Sequence, residues 1–176
     1  EYQAILRSVT YANSNASGST TSRTISFVVN DGDKDSATLT TEVNVQSLDD
    51  ITVTSTASYT EDAEPLLISS ALSLSETDSS TLHTATIQFS ADTYISGEDV
   101  LSFTNTDKLT GVWDASTGTL TVIGEDTVSN YETALQSITY TNSAGDDPVA
   151  GDRTINYTVD NGISNSHTVT QTLTVT

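Results

Sequence analysis

Eight carboxylates fall in four short groups: Asp49 and Asp50, Glu61 and Asp62, Glu76 and Asp78, and Glu98 and Asp99 beside Gly97. Clustered Asp and Glu suit a hard divalent cation, because calcium takes about six to eight oxygen ligands from carboxylates, carbonyls and water. The first three groups lie in and after a short acidic linker, and form one candidate calcium set. Glu98 and Asp99 form a second candidate pair. None has the fixed ligand offsets and closing Glu of an EF-hand. The competing reading is that acidic turns keep a surface soluble and stop sheet edges from pairing. Asp31-Gly32-Asp33-Lys34-Asp35 places Asp at alternate positions of a turn, and an ordinary hairpin with Asp-Gly at positive φ accounts for it equally well.

Other chemistry is poorly supplied. His83 and His167 are the only histidines, and a Ser-His-Asp triad needs one beside a nucleophile and an orienting carboxylate. Ser and Thr make up a third of the chain, so a Ser near a His in sequence carries no information. Paired carboxylates hydrolyse glycosides only across a cleft, and nothing here predicts one. We therefore expect no enzyme and no catalytic residues. Trp113 is the single Trp and reads as a core ring, with an exposed sugar-stacking ring as the alternative.

The 176 residues include 24 Asp and Glu against 5 Lys and Arg, a formal net charge of −19. Such a balance opposes binding to nucleic acid, where Lys and Arg must neutralise phosphates, and to anionic membrane surfaces. With no Cys there is no disulfide framework and no thiolate zinc site. The longest apolar runs are three or four residues, as in Pro65-Leu66-Leu67-Ile68, so no transmembrane helix or signal peptide is read within the segment. A chain without any Met reads as a piece of a longer or processed one.

The elements that must position these groups are strands. Val, Ile and Thr alternate with polar residues over 24–29, 37–45, 84–89, 100–103, 119–123, 137–140, 154–159 and 168–175. Such runs, bounded by Asp, Asn and Gly, predict antiparallel strands with one buried face. Residues 114–118 predict a hairpin turn, and the only helical pattern covers 128–136. The result is an all-β, antiparallel sandwich.

An internal repeat organises it. Tyr2-Gln3-Ala4-Ile5-Leu6-Arg7-Ser8-Val9-Thr10-Tyr11 aligns with Tyr131-Glu132-Thr133-Ala134-Leu135-Gln136-Ser137-Ile138-Thr139-Tyr140. After a one-residue insertion, Arg23-Thr24-Ile25-Ser26-Phe27 aligns with Arg153-Thr154-Ile155-Asn156-Tyr157. Gly32 then matches Gly162, and Val45 matches Val175. Residues 1–50 thus read as the C-terminal part of one unit and 51–176 as a complete one, joined near Ser47-Leu48-Asp49-Asp50. The aligned Tyr11 and Tyr140, like Phe27 and Tyr157, suit core or core-edge positions. The three carboxylates of the 31–35 turn become Asn161, Ile163 and Asn165 in the second copy, which favours the plain hairpin reading there.

These motifs, with Tyr59-Thr60-Glu61-Asp62 and Ser96-Gly97-Glu98-Asp99-Val100-Leu101-Ser102-Phe103, resemble the tandem cadherin-like, Ig-like repeats of large bacterial surface adhesins of the RTX type. The resemblance covers essentially the whole chain. It implies a cell-surface or secreted location, a role as spacer or adhesion module, and calcium at the joints between repeats. Where such repeats often carry Asp-x-Asp-Ser this chain has Glu76-Thr77-Asp78-Ser79, and its linker ends Asp49-Asp50 in place of Asn-Asp. Expected partners are neighbouring repeats, further copies of the chain, or a cell-surface ligand, without nucleic acid or membrane insertion. The alternatives are a carbohydrate- or protein-binding module, and a filament subunit assembling by strand addition.

Overall fold

The computed structural model describes residues 2–12, 22–43, 50–75, 79–163 and 165–176. The chain divides into two compact units, Glu1–Ser47 and Leu48–Thr176.

Unit 1 holds a short helix, α1 (Tyr2–Leu6), and a hairpin of β1 (Arg23–Phe27) and β2 (Leu39–Val43). Unit 2 continues with β3 (Asp50–Thr52), β4 (Thr56–Tyr59), β5 (Leu66–Leu67), β6 (Ser73–Ser75), β7 (Thr81–Phe89), β8 (Asp99–Ser102), β9 (Thr110–Asp114) and β10 (Thr119–Thr127). Helix α2 (Val128–Gln136), β11 (Thr139–Asn142), β12 (Gly151–Asp160) and β13 (Val169–Val175) complete it. No described helix is long and apolar enough to cross a membrane.

Unit 2 is an all-β sandwich. A six-stranded sheet in the order β4-β13-β12-β7-β10-β9 accompanies a three-stranded sheet, β5-β11-β8, and a two-stranded one, β3-β6. Pairing is antiparallel throughout except between β13 and β4, which run parallel. The period-2 pattern sets the buried face: Ile155, Tyr157 and Val159 of β12 and Leu173 and Val175 of β13 point into the core, while the residues between them are half-exposed. They meet Phe89, Leu101 and Tyr140. Burial of each large side chain stabilises by about 1.5–3 kcal/mol.

Between Ile123 and Asp126 the register of β10 on β7 shifts, and Gly124 sits there at φ 141°. A Cβ at Gly124 would lie 2.1 Å from the Lys108 carbonyl oxygen, so only glycine fits. The bulge feeds α2, whose N-cap Thr127 accepts a bond from the Asn130 amide. Trp113 is half-buried, edge-on to Phe89 and Tyr94 at 6.4 Å each, while Tyr94 stacks on Phe89.

The unit 1 hairpin repeats that of unit 2 pair for pair. Arg23 faces Val43 and Phe27 faces Leu39; Arg153 faces Leu173 and Tyr157 faces Val169. The bridge Asn30–Asp35 matches Asp160–Asn165. Inside the turns the Ser36 amide bonds the Val29 carbonyl at 2.8 Å and the Ser166 amide the Val159 carbonyl at 2.7 Å. Gly32 and Gly162 both have positive φ, 102° and 83°. Two expectations change in unit 1. A helix occupies 2–6, where only 128–136 was predicted helical, and Tyr11 is 45% exposed where a core or core-edge position was expected. Its counterpart Tyr140 is buried because β5 and β8 flank it; among the described residues no strand flanks 10–12, which form no strand themselves.

Candidate functional site

Asp99 begins β8, and its backbone amide closes the preceding turn onto the Ile95 carbonyl. Its side chain is buried among partners from the same unit. Oδ2 accepts from Arg153 Nε at 2.8 Å and from the Ile95 amide at 2.8 Å. Oδ1 accepts from the Tyr140 hydroxyl at 2.7 Å. Arg153 also donates to the carbonyls of Val149, at 2.6 Å, and Gly151, at 3.3 Å. Burial, and then the Asp99 carboxylate, push the Tyr140 hydroxyl far up, which keeps it a donor. Glu98 accepts from the Val149 amide at 3.0 Å. The second candidate pair thus fastens the 96–99 turn to the 142–153 segment. A buried pair held by this many bonds is costly to break from one side.

The other candidates separate. Asp50 is exposed at the start of β3, its Oδ1 3.5 Å from His167 Nε2, just before β13. Glu61 and Asp62 form the turn after β4, and the Glu61 amide bonds the Thr176 carbonyl at 2.8 Å, just after β13. The seven residues of β13 hold these points about 20 Å apart. Within unit 2, Asp50 therefore does not join Glu61 and Asp62 in one site. Asp49, Glu76 and Asp78 lie outside the described residues.

Asp62, at φ 57°, meets a group absent from the sequence-based set. Contact with the Asp146 carboxyl raises its pKa above the usual carboxylate value, with Glu61 adding repulsion. Among the described residues no group of three or more His, Cys, Asp or Glu is arranged to hold a metal ion. Calcium stays an expectation from the sequence, since Asp49, Glu76 and Asp78 of the first candidate set lie outside the described residues.

Arg153, Tyr140 and Asp146 were missed. For the first two the signal was present, since Arg23 and Tyr11 repeat them in the other copy. Asp146 pairs across a fold that brings two distant loops together, and no spacing announces it.

His83, exposed on β7, would be 3.3 Å from a Cβ at Gly162, and His167 precedes β13 beside Asp50. An open groove of about 570 Å³ lies between the 104–109 loop and α2, with Lys108 paired to Asp126 at 3.2 Å on its wall. Hydrogen bonds from Asn130 and the Thr127 amide, then Lys108, hold Asp126 below the usual carboxylate range.

The second strand of unit 2, β4, is bound to its last, β13. Parallel β4 and β13 match Thr56 to Thr172 and Tyr59 to Val175. The Thr172 amide donates to the Ser55 carbonyl at 2.9 Å and the Thr176 amide to the Tyr59 carbonyl at 2.9 Å. Buried Gln171 adds side-chain bonds to the carbonyls of Thr54, at 2.9 Å, and Ile68, at 2.8 Å, and accepts from the Tyr157 hydroxyl at 2.8 Å. Tension applied to the N-terminal side of β4 and the C-terminal end of β13 acts along the two strands in opposite directions. The bonds between them are then strained together and not opened singly. No protein-family model matches the chain, and no curated protein or solved structure matches it.

Proposed function

We propose that the chain is a structural module of a repeat-built extracellular surface protein, in which each sandwich unit carries tension along a fibre. The observation that supports this most is the parallel pairing of β4 with β13. It lets a small unit resist extension through many bonds at once, each worth about 0.5–1.5 kcal/mol net. The internal repeat, the charge of −19 and the absence of Cys accord with serial units outside the cell. Calcium enters the proposal at the joint, through Asp49 and Asp50.

Single-molecule extension tests the mechanical reading, since forced unfolding is governed by the unfolding rate. Pulled through its ends, Leu48–Thr176 is expected to open in one event releasing about 450 Å, at about 3.5 Å per residue. The chain has no Cys, so Glu64→Cys with Thr176→Cys gives unique handles that peel β4 from β13 from one end. Peeling should need several-fold less force. Equal forces in the two directions would refute a role for the parallel pair. A higher melting temperature in calcium than in chelator, lost on Asp49→Asn with Asp50→Asn, is expected if calcium binds at the joint; an unchanged melt would refute it.

A further inference from the structure

The groove beside α2 lies where the front half of unit 2, residues 50–127, meets that helix. Its loop wall is tied down by backbone bonds. The Thr106 hydroxyl accepts from the Leu109 amide at 3.0 Å and the Lys108 amide at 3.4 Å, and the Thr106 amide donates to the Leu109 carbonyl at 3.0 Å. The Lys108 carbonyl occupies the space that a side chain at position 124 would fill. Buried Leu109 and Ala134 give the groove an apolar lining. Beside them stands Asp126, with a side chain only 7% exposed. Its Oδ1 accepts from Asn130 Nδ2 at 2.8 Å, the Thr127 amide at 2.9 Å and Lys108 Nζ at 3.2 Å. Among the described residues nothing donates to Oδ2. The first two donors belong to the start of α2 and fix the carboxylate in place. Lys108 is different: its side chain is 62% exposed, and an ion pair with so open a partner is weak. It also contributes least to holding the Asp126 carboxyl in its charged form.

We infer that this groove binds an arginine side chain of a partner polypeptide, with Asp126 as the anchor and Lys108 as an internal stand-in that the guanidinium displaces. A guanidinium presents two parallel N–H donors to a carboxylate. Asp126 can meet both, since Oδ2 has no donor and Oδ1 loses one when Lys108 leaves. Leu109 and Ala134 offer apolar surface to the aliphatic stem, as long basic side chains require. Asp107, exposed on the same loop, adds a further negative charge. A lysine ammonium lacks the planar fork and fits less well. The overall charge selects the same occupant, because −19 draws cations to the surface and repels anions. The groove belongs to unit 2 alone, so the inference depends neither on the repeat nor on the mechanical role.

The test titrates Nα-acetylarginine amide into the full chain and follows backbone amides by NMR, with Nα-acetyllysine amide as the comparison. Saturable shifts are expected at Lys108, Thr127 and Asn130, with a Kd of about 1–10 mM. The lysine compound should bind at least about threefold more weakly. Lys108→Met removes the stand-in and should tighten arginine binding by up to about fivefold, the worth of an exposed pair. Asp126→Asn should abolish it. If that variant fails to fold, Lys108→Met still decides, because unchanged or weaker binding there would overturn the inference. Absence of any saturable shift at about 50 mM would overturn it too, as would equal binding of the two compounds. Shifts spread without saturation over exposed carboxylates such as Asp31 and Asp114 would show only the general pull of a negative surface, and no site. None of these readouts depends on mechanical strength, so their failure is distinct from failure of the extension experiment.

Discussion

The β1–β2 and β12–β13 hairpins have the same register, the same turn bonds and the same positive-φ glycine, yet one is half-exposed and the other forms the centre of a core. Local sequence is enough to set a hairpin, because turn residues and period-2 alternation act over a few positions. It is not enough to bury one. Strand β11 shows the difference most clearly: Thr139–Asn142 is a strand between β5 and β8, while residues 10–12 are not.

Substitution at equivalent positions can break that comparison. The largest effect is expected at the buried ion pair. Arg153→Ala leaves Asp99 buried without its counter-charge and should cost unit 2 about 3–5 kcal/mol in denaturant unfolding, whereas Arg23→Ala should leave unit 2 within about 0.5 kcal/mol. Ile155→Ala should remove about 2–5 kcal/mol, and Ile25→Ala should leave the same transition unmoved. Gly162→Ala, strained at positive φ and tight against His83, should cost about 1–2 kcal/mol; Gly32→Ala should disturb only its own turn. Equal costs within any of these pairs would show that the copies are buried alike.

Smaller, pH-dependent effects sharpen the contrast. Asp62 has a raised pKa beside Asp146, so the native state holds its proton more tightly than the unfolded chain does. Stability from this site is therefore greatest below the ordinary carboxylate value and falls as pH rises through the raised one. Asp62→Asn should raise the melting temperature at neutral pH and flatten that dependence. Asp31 behaves oppositely: amide bonds from Lys34 and Asp33 hold it below 3.8. Its support of the unit 1 turn is present above 3.8 and is lost as pH falls through the lowered value. Asn161, which accepts from the Ile163 amide at 2.9 Å, has no charge to lose. Amide NMR shifts should show the Asp33 and Lys34 amides, held by Asp31, loosening in acid and the Ile163 amide, held by Asn161, unmoved.

Much of the fold was legible because it is local. The helix at 128–136, the turn at 114–118 and the β12–β13 hairpin all follow from alternation and turn chemistry. The short strands β4, β5 and β6 were not, since two to four residues carry too little pattern to separate a strand from a loop. The carboxylate set was legible only as composition. Asp99 looks like any turn Asp until Arg153 and Tyr140 arrive from 54 and 41 residues away, and Asp50 and Glu61 are close in sequence but lie at opposite ends of β13. Sequence spacing says nothing of which sheet end a loop reaches.

Native-state amide hydrogen exchange on the intact chain tests most directly whether the front half, and not the hairpin itself, confers order. Amides of 153–157 should exchange only through openings close to global unfolding of unit 2, and those of 23–27 at least about a hundredfold faster. Equal protection of the two segments would contradict the account, because a hairpin without its front half would then be as firmly held as one with it.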